Sequence, residues 1–367
     1  MSGNVFDRVL NAAGEALIIA ELGTGHGGDE LKAMELAAAA VEAGADCVKL
    51  QHVYADEIIH PETGLVPLPG GLTRLYDRFL AVETGPDFIG RVKDRVESLG
   101  AEFLCTPFGL RSARELRELG VRAMKVASPE LNHLPLLDEL ASYGLPTILS
   151  SGVSTLADIE LALSRFHGVR TALLHCVTAY PAPEADYNLR LLPALSALFG
   201  LPVGVSDHSS DPILVPAVAV ALGAAIIEKH FCLSRSDDGL DDPIALPPAE
   251  FAAMASAIRA RPSLDGLRAE YGSARVEATL GDGVKRLAPS ERANYTRTNR
   301  SIHAKRRIRA GERLGDDNLS ILRTEKVLRP GLEPRLWEAV IGRVAARDVP
   351  DGEGLEWADI GGAWIGS

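Results

Sequence analysis

Two histidines stand at equivalent places in neighbouring apolar runs. His208 ends Pro202-Val203-Gly204-Val205-Ser206-Asp207-His208, and His230 ends Ala224-Ala225-Ile226-Ile227-Glu228-Lys229-His230. Each run is short and apolar and turns polar at its carboxyl end. Between them lies Pro212–Gly223, rich in alanine and valine and of helix length. Strand, helix, strand makes a βαβ unit with parallel strands, whose carboxyl ends share one side of a sheet. Two neutral imidazoles there, with Ser206, Asp207 and Glu228 close by, suit a divalent metal ion. The competing reading is two structural histidines at strand ends.

The same alternation runs through the chain. Strands are predicted at Leu17–Glu21, Cys47–Val53, Phe103–Phe108, Ala123–Ser128, Thr147–Ser151 and Thr171–Cys176, ahead of the two histidine strands. Helices are predicted at Leu31–Ala43, Pro86–Leu99, Arg111–Leu119, Pro135–Tyr143, Leu156–Phe166, Leu189–Phe199, Pro212–Gly223 and Pro248–Arg259, several of them closed by Gly. Residues 1–16 are a polar lead-in with room for a short helix, and Tyr54–Glu83 is a long insertion containing Pro and Gly. Eight βα units over roughly 250 residues predict an α/β fold, a (β/α)8 TIM barrel. An open doubly wound sheet is the alternative. No GxGxxG follows the first strand, so a dinucleotide fold has little support.

Active sites of such a barrel gather at the carboxyl ends of its strands. Those ends carry Glu21; Lys49 and Gln51; Thr106; Lys125 and Ser128; Ser150 and Ser151; His175; Ser206, Asp207 and His208; Glu228 and His230. Burying so many polar groups unpaired is costly, so together they mark a site. Lys49 and Lys125 arise on different strands and converge. With the hydroxyls of Ser128, Ser150 and Ser206 they form a clamp for phosphate or carboxylate. The alternative for each lysine is an ion pair with Glu21 or Glu130. A metal beside an anion clamp suits Lewis-acid polarisation of a carbonyl next to a phosphorylated substrate. Glu21 or Glu228 can then serve as general base.

Composition bounds the rest. The 367 residues are 46% hydrophobic and 24% charged, with net charge −12, so binding nucleic acid through the whole surface is disfavoured. No apolar run approaches the ~20 residues of a membrane helix, and no secretory signal is visible, which reads as a cytoplasmic protein. Cys47, Cys105, Cys176 and Cys232 lack CxxC spacing and read as small buried thiols. Ser263–Ser290 reads as a linker with some local structure. Residues 285–347 carry 16 Lys and Arg against 7 Asp and Glu, a net of +9, which leaves −21 on the rest of the chain. A basic small domain on an acidic barrel predicts electrostatic docking, in cis or onto another subunit. The expected domains are a barrel at 1–262, a linker at 263–290 and a small domain at 291–367.

Several stretches together resemble the sialic acid (nonulosonate) synthase family. They are Ile18-Ile19-Ala20-Glu21-Leu22-Gly23, Ala43 through Gln51, Phe103 through Phe108, Lys125-Val126-Ala127-Ser128, Leu149-Ser150-Ser151-Gly152, and Leu174-His175-Cys176 with Tyr180-Pro181-Ala182-Pro183. Val205-Ser206-Asp207-His208, Ile227 through Phe231 and Leu280 through Lys285 continue the match. The tail, with Asn299-Arg300-Ser301 and Ile308-Arg309-Ala310-Gly311-Glu312, is similar to the antifreeze-like SAF domain of these synthases. The resemblance implies condensation of phosphoenolpyruvate with an N-acylated hexosamine and water, releasing phosphate and a nine-carbon 2-keto-3-deoxy acid. It implies a manganese or magnesium ion on His208 and His230. It implies that Lys49, Lys125, Ser128, Ser150 and Ser206, with Gln51 beside them, hold phosphoenolpyruvate. Glu21 and Glu228 would handle protons, and Tyr180 and Asp241 would border the sugar. Family members are domain-swapped homodimers, in which Arg300 would reach the sugar in the partner's barrel. Departures fall at Gly25 and Gly27, at Pro129, at Val153, and at Leu240 and Asp242. They imply an acceptor other than ordinary N-acetylmannosamine. A related synthase with a phosphorylated acceptor and a noncatalytic paralogue are the other readings.

Overall fold

The computed structural model describes Phe6 and residues 15–68 and 71–361. Residues 1–5 and 7–14, most of the polar lead-in, lie outside the described residues. Eight parallel strands form one sheet: β1 (Leu17–Gly23), β2 (Cys47–His52), β3 (Glu102–Pro107), β4 (Met124–Val126), β5 (Thr147–Ser150), β6 (Thr171–Cys176), β7 (Val203–Asp207) and β8 (Ile226–His230). Their order is β3-β2-β1-β8-β7-β6-β5-β4, and β3 lies against β4, so the sheet nearly closes into the expected barrel. The helices are α1 (Glu30–Glu42), α2 (Pro86–Ser98), α3 (Leu110–Glu118), α4 (Leu134–Ser142), α5 (Leu156–Leu163), α6 (Leu191–Phe199), α7 (Leu214–Ala221) and α8 (Pro248–Arg259).

The period-two alternation of each strand sets its two faces. Ile18, Ala20, Val48, Leu50, Phe103, Val126, Leu149, Leu173, Val205 and Ile227 face outward and pack under the helices. Leu17, Ile19, Cys47, Leu104, Ala123, Ile148, Ala172, Leu174 and Ile226 point inward, and Phe6 inserts among them. That apolar layer fills the lower barrel, so the interior is a packed core rather than a channel. One step further along each inward row, two residues on, stand Glu21, Lys49, Thr106, Lys125, Ser150, Cys176 and Glu228, with Ser206 beside them on β7. The interior therefore turns from apolar to ionic within one layer.

Three segments differ from a plain reading of the sequence. The insertion after β2 carries elements of its own: short helices Ala55–Ile58 and Leu75–Leu80 flank the antiparallel pair Leu65–Leu68 and Gly71–Arg74. It closes over Val53, Ile58, Ile59 and Phe108 beside the barrel rim. β4 stops at Val126, short of Ser128, because Pro129 directs the chain into a 3-10 turn at Ser128–Glu130. The segment after α8 folds as α9 (Leu264–Tyr271) and α10 (Ser273–Leu280), packed on α7 through Leu267, Val276 and Leu280.

The C-terminal domain has its own core of Ile302, Ala304, Ile308, Leu314, Leu319, Val340, Val349 and Leu355. Arg300–Ala304 pairs antiparallel with Leu319–Arg323, and Val344–Ala345 with Ile360–Gly361. The domain docks on the rim of its own barrel, where Ile59 forms a bridge with Arg323. All four cysteines are free and buried. Among the described residues no helix is long and apolar enough to cross a membrane.

Candidate active site

Strand register brings the ionisable residues together. Glu21 pairs with Lys49 on one side and His230 on the other, and Glu228 pairs with Ser206. Lys49 meets Glu21 in a close ion pair and lies 3.2 Å from Glu228 Oε2. Lys125 Nζ lies 3.8 Å from Glu228 Oε1 and donates to Ser150 Oγ at 2.6 Å and to the Val126 carbonyl at 3.1 Å. Ser206 Oγ donates to Glu228 Oε1 at 2.9 Å. Ser128 Oγ accepts from the Gly152 amide at 3.0 Å. Gly152 is needed there, since a Cβ would strike Thr178 Oγ1, Ser128 Oγ and Cys176 Sγ. Gln51 stands at the rim, and its Nε2 lies 3.4 Å from the point where a Cβ on Gly23 would be.

The two carboxylates are driven apart. Burial raises the pKa of Glu21, Lys49 opposes this and the charge of Glu228 adds to it. Burial would also raise Glu228, but Lys125 and Lys49 outweigh it and pull its pKa to about 2. One carboxyl therefore leans toward holding a proton while the other stays ionised. Burial lowers Lys125 to about 8, with Lys49 adding and Glu228 resisting. Burial acts the same way on Lys49, yet Glu21 and Glu228 hold its pKa above the ordinary lysine value. Oε1 of Glu21 is buried without a hydrogen-bond partner, while Oε2 is in the close ion pair with Lys49. Such an incompletely satisfied charge cluster at the carboxyl ends of barrel strands marks a candidate site.

His208 and His230 do lie side by side, ring centroids 5.5 Å apart. Tyr180 stacks on His208 at 4.3 Å and meets His230 edge-on at 6.2 Å. The His208 Nδ1 faces the Val177 carbonyl at 2.8 Å, which leaves Nε2 as the donor atom for a ligand. Asp241 Oδ2 lies 3.9 Å from His230 Nδ1. Burial holds His230 neutral, with a pKa lowered to about 4. Among the described residues no three His, Cys, Asp or Glu side chains form a complete ligand set. Burial would lower His208, but Cys176 and the Val177 carbonyl outweigh it and raise its pKa to about 9. The pair therefore fits a catalytic divalent ion, with substrate or water as its other ligands, once His208 gives up its proton.

Two residues at the strand ends turn away from the mouth. Asp207 faces outward and pairs with Lys229 at 2.6 Å, and His175 faces outward and meets the Tyr187 carbonyl at 2.6 Å. Both occupy the odd phase of their strands, so proximity in sequence to a strand end does not give access to the mouth. Asp242 is buried and closes its own loop, accepting from the Gly239 amide at 2.8 Å.

The resemblance gives Arg300 a role at the sugar in a partner's barrel. Here it is buried against its own barrel, in a close ion pair with Glu130, and donates to the carbonyls of Glu57, Ile58, Phe108 and Ile321. The arginine that leans toward the mouth is Arg323, whose guanidinium lies 5.3 Å over the Phe108 ring and whose charge acts on the Tyr180 hydroxyl.

Sequence reasoning passed over Arg323, Thr178 and Lys285. Thr178 Oγ1 and Lys285 Nζ are buried without a hydrogen-bond partner. Burial lowers the pKa of Lys285, whose charge couples to Glu291 and to Cys176. Glu291 pins this linker to the barrel, accepting from the amides of Val153 at 2.9 Å and Thr178 at 3.0 Å. The signal for Lys285 was its place in Leu280–Lys285, a matched motif with no local reason to be polar and buried.

Comparison with known proteins agrees with this architecture. The model of the NeuB family matches residues 36–268, and that of the SAF domain matches residues 299–361. The spore coat polysaccharide biosynthesis protein SpsE of Bacillus subtilis is 33% identical over 97% of this chain and 96% of its own length. Its crystal structure superposes with a TM-score of 0.79, covering 95% of this chain and 96% of that one. An N,N'-diacetyllegionaminic acid synthase of Campylobacter jejuni is 32% identical, covering 92% of this chain and 98% of its own. A pseudaminic acid synthase of Campylobacter jejuni is 30% identical, covering 96% and 98%.

Proposed function

This chain belongs to the NeuB family, and we propose on that premise that it condenses phosphoenolpyruvate with the open-chain form of an N-acylated hexosamine. The products are phosphate and a nine-carbon 2-keto-3-deoxy sugar acid. The observation that carries this reading is the mouth itself: two lysines and several hydroxyls converge beside Glu21, whose Oε1 has no hydrogen-bond partner. The relatives support it by what they make, legionaminic and pseudaminic acids.

Lys49 and Lys125 bind the negative charges of phosphoenolpyruvate, with Gln51 at the rim. Ser128, Ser150 and Ser206 orient its phosphate, and Thr178 and Lys285 offer unspent donors to the same group. Tyr180 and Asp241 border the acceptor. A divalent cation, Mn2+ or Mg2+, held by His208 and His230 would supply Lewis-acid polarisation of the acceptor's aldehyde. C3 of the enol forms the new bond to the aldehyde carbon while Glu21 gives its proton to the aldehyde oxygen. Water adds at C2 and returns one proton to Glu21. The C2–O bond to phosphorus then breaks, the phosphate leaves with the electron pair and the second proton, and C2 becomes the ketone. Glu228 stays ionised and holds both lysines in place.

The glycines at 25 and 27 and the inward-folded Asp242 remove side chains from the acceptor side, which favours a diacetamido-trideoxyhexose over N-acetylmannosamine. Phosphate release from phosphoenolpyruvate with Mn2+, measured across such acceptors with mass analysis of products, tests both statements. A product of acceptor plus three carbons is expected, with the diacetamido sugars preferred. Turnover with phosphorylated acceptors alone, or with none, overturns the reading.

A further inference from the structure

His208 stands one residue past the end of β7, where the sheet no longer supplies partners for its backbone. The other histidine of the pair keeps such partners. His230 is the last residue of β8, it pairs with Glu21 in the ladder, and its carbonyl accepts from the Leu246 amide at 2.8 Å. A buried N–H left unpaired is costly, so His208 needs partners from elsewhere. Both come from the loop that follows β6. The His208 carbonyl accepts from the Ala182 amide at 2.9 Å, and the His208 amide donates to the Tyr187 hydroxyl at 2.6 Å. A tyrosine side chain thus does for His208 what a neighbouring strand does for His230.

Tyr187 is fully buried and is itself held at both ends. His175 Nε2 donates to its carbonyl at 2.6 Å, and its hydroxyl donates in turn to the Asp207 carboxylate. Asp207 is fixed from behind. Its Oδ1 accepts from the Ser209 amide at 2.8 Å, and its Oδ2 accepts from Ser209 Oγ at 3.0 Å and from Lys229 Nζ at 2.6 Å. Lys229 is the register partner of Asp207 on β8 and directly precedes His230. One buried line therefore runs from Lys229 through Asp207 and Tyr187 to His208. Asp207 and His175, the two strand-end residues that turn away from the mouth, meet on the same tyrosine. Outside this line, Arg275 of α10 fastens the turn before Tyr187 through Glu184 at 2.6 Å and the loop after β7 through Asp211 at 2.8 Å. The imidazole depends on the same loop, since Val177 faces its Nδ1 and Tyr180 stacks on its ring.

We propose that Tyr187 is a positioning residue that seats His208 for its part in holding a divalent ion, and that His175, Asp207 and Lys229 hold Tyr187 to that task. This rests on the reading of His208 and His230 as a metal-holding pair. Its consequence is a split between ligands. Lys49, Lys125 and Ser150 are held by Glu21, by Glu228 and by one another. Loss of the Tyr187 hydroxyl therefore reaches the metal ion through His208 and leaves phosphoenolpyruvate alone.

Tyr187→Phe keeps the ring and removes the hydroxyl. Titration of the metal-free chain with Mn2+, followed by the electron paramagnetic resonance signal of the free ion, should give a Kd about tenfold above wild type, the scale of a lost partner behind a metal ligand. Phosphoenolpyruvate binding to the metal-free chain, measured by calorimetry, should stay within twofold. A residue that only fills the core would lower the folding midpoint and leave the Mn2+ Kd alone. A wild-type Mn2+ Kd therefore overturns the proposal, as does an equal loss of phosphoenolpyruvate affinity. His175 tests it from the other end, and decides it if Tyr187→Phe does not fold. His175→Leu removes the donor to the Tyr187 carbonyl, and His175→Gln keeps one. The Mn2+ Kd should rise at least threefold with Leu and return to within twofold of wild type with Gln; equal values in the two overturn the proposal. A further readout needs no metal. Hydrogen exchange at the His208 amide of the metal-free chain should be at least tenfold faster in Tyr187→Phe than in wild type, and equal exchange means that Tyr187 does not seat it. If the wild-type chain binds no Mn2+, the metal reading fails, and the exchange still decides the seating.

Discussion

The molecule buries two clusters of opposite charges near the same barrel rim, and they are built to different ends. At the mouth, Lys49 and Lys125 share Glu21 and Glu228, yet Oε1 of Glu21 has no hydrogen-bond partner and Lys125 is pushed down to about 8. At the domain interface, both oxygens of Glu130 are taken, and Arg300 is further tied to four carbonyls. Both clusters carry the desolvation cost of buried charge. The interface recovers that cost in completed hydrogen bonds. The mouth leaves part of it unrecovered, and in the proposed function that remainder serves to bind an anion and move a proton. Residue types alone do not separate the two; the degree of satisfaction does.

Three substitutions or titrations sharpen this contrast, in order of size. Lys49→Met should lower kcat/KM by about 10³-fold, the scale of a removed charge-stabilising donor, while the folding midpoint stays level or rises. A loss of stability larger than that of any interface variant would break the comparison. Arg300→Met should do the opposite. Leaving Glu130 half-paired costs about 3–5 kcal/mol of folding stability in chemical denaturation, with the phosphoenolpyruvate KM within twofold of wild type. The smallest effect is a pH limb. Lys125 is a cation below its pKa of about 8 and loses its proton as pH rises through it. Affinity for phosphoenolpyruvate is therefore present below that pH and falls above it, by about tenfold per pH unit. Lys125→Arg keeps its charge, and the limb should move to higher pH in initial-rate measurements; a limb that stays in place assigns it to another group.

Much of the fold was legible because it follows from neighbours in sequence. Alternating apolar runs with Gly-closed helices specify the eight units, and the period of two specifies that Ile19, Glu21 and their counterparts share one face. That is why Glu21, Lys49, Lys125, Ser150, Ser206, Glu228, His208 and His230 could be placed at one mouth from spacing alone. The same rule, applied without its phase, grouped Asp207 and His175 with them, although both point outward. The insertion Tyr54–Glu83 gave no period to read, since its short antiparallel pair and helices are held by Val53, Ile59 and Phe108 rather than by their own pattern.

What the sequence by itself determined is the barrel, its polar mouth and the small basic domain, because alternation, turn chemistry and charge composition are properties of adjacent residues. What only the tertiary structure decided is which charges are satisfied. Arg300 and Glu130 are 170 positions apart, and Arg323 and Glu130 are 193 apart. Thr178 and Lys285 become unpartnered neighbours of the mouth only when the linker folds back and Glu291 fastens it. Satisfaction of a buried charge depends on donors brought by distant segments, and no local pattern records which segments will meet.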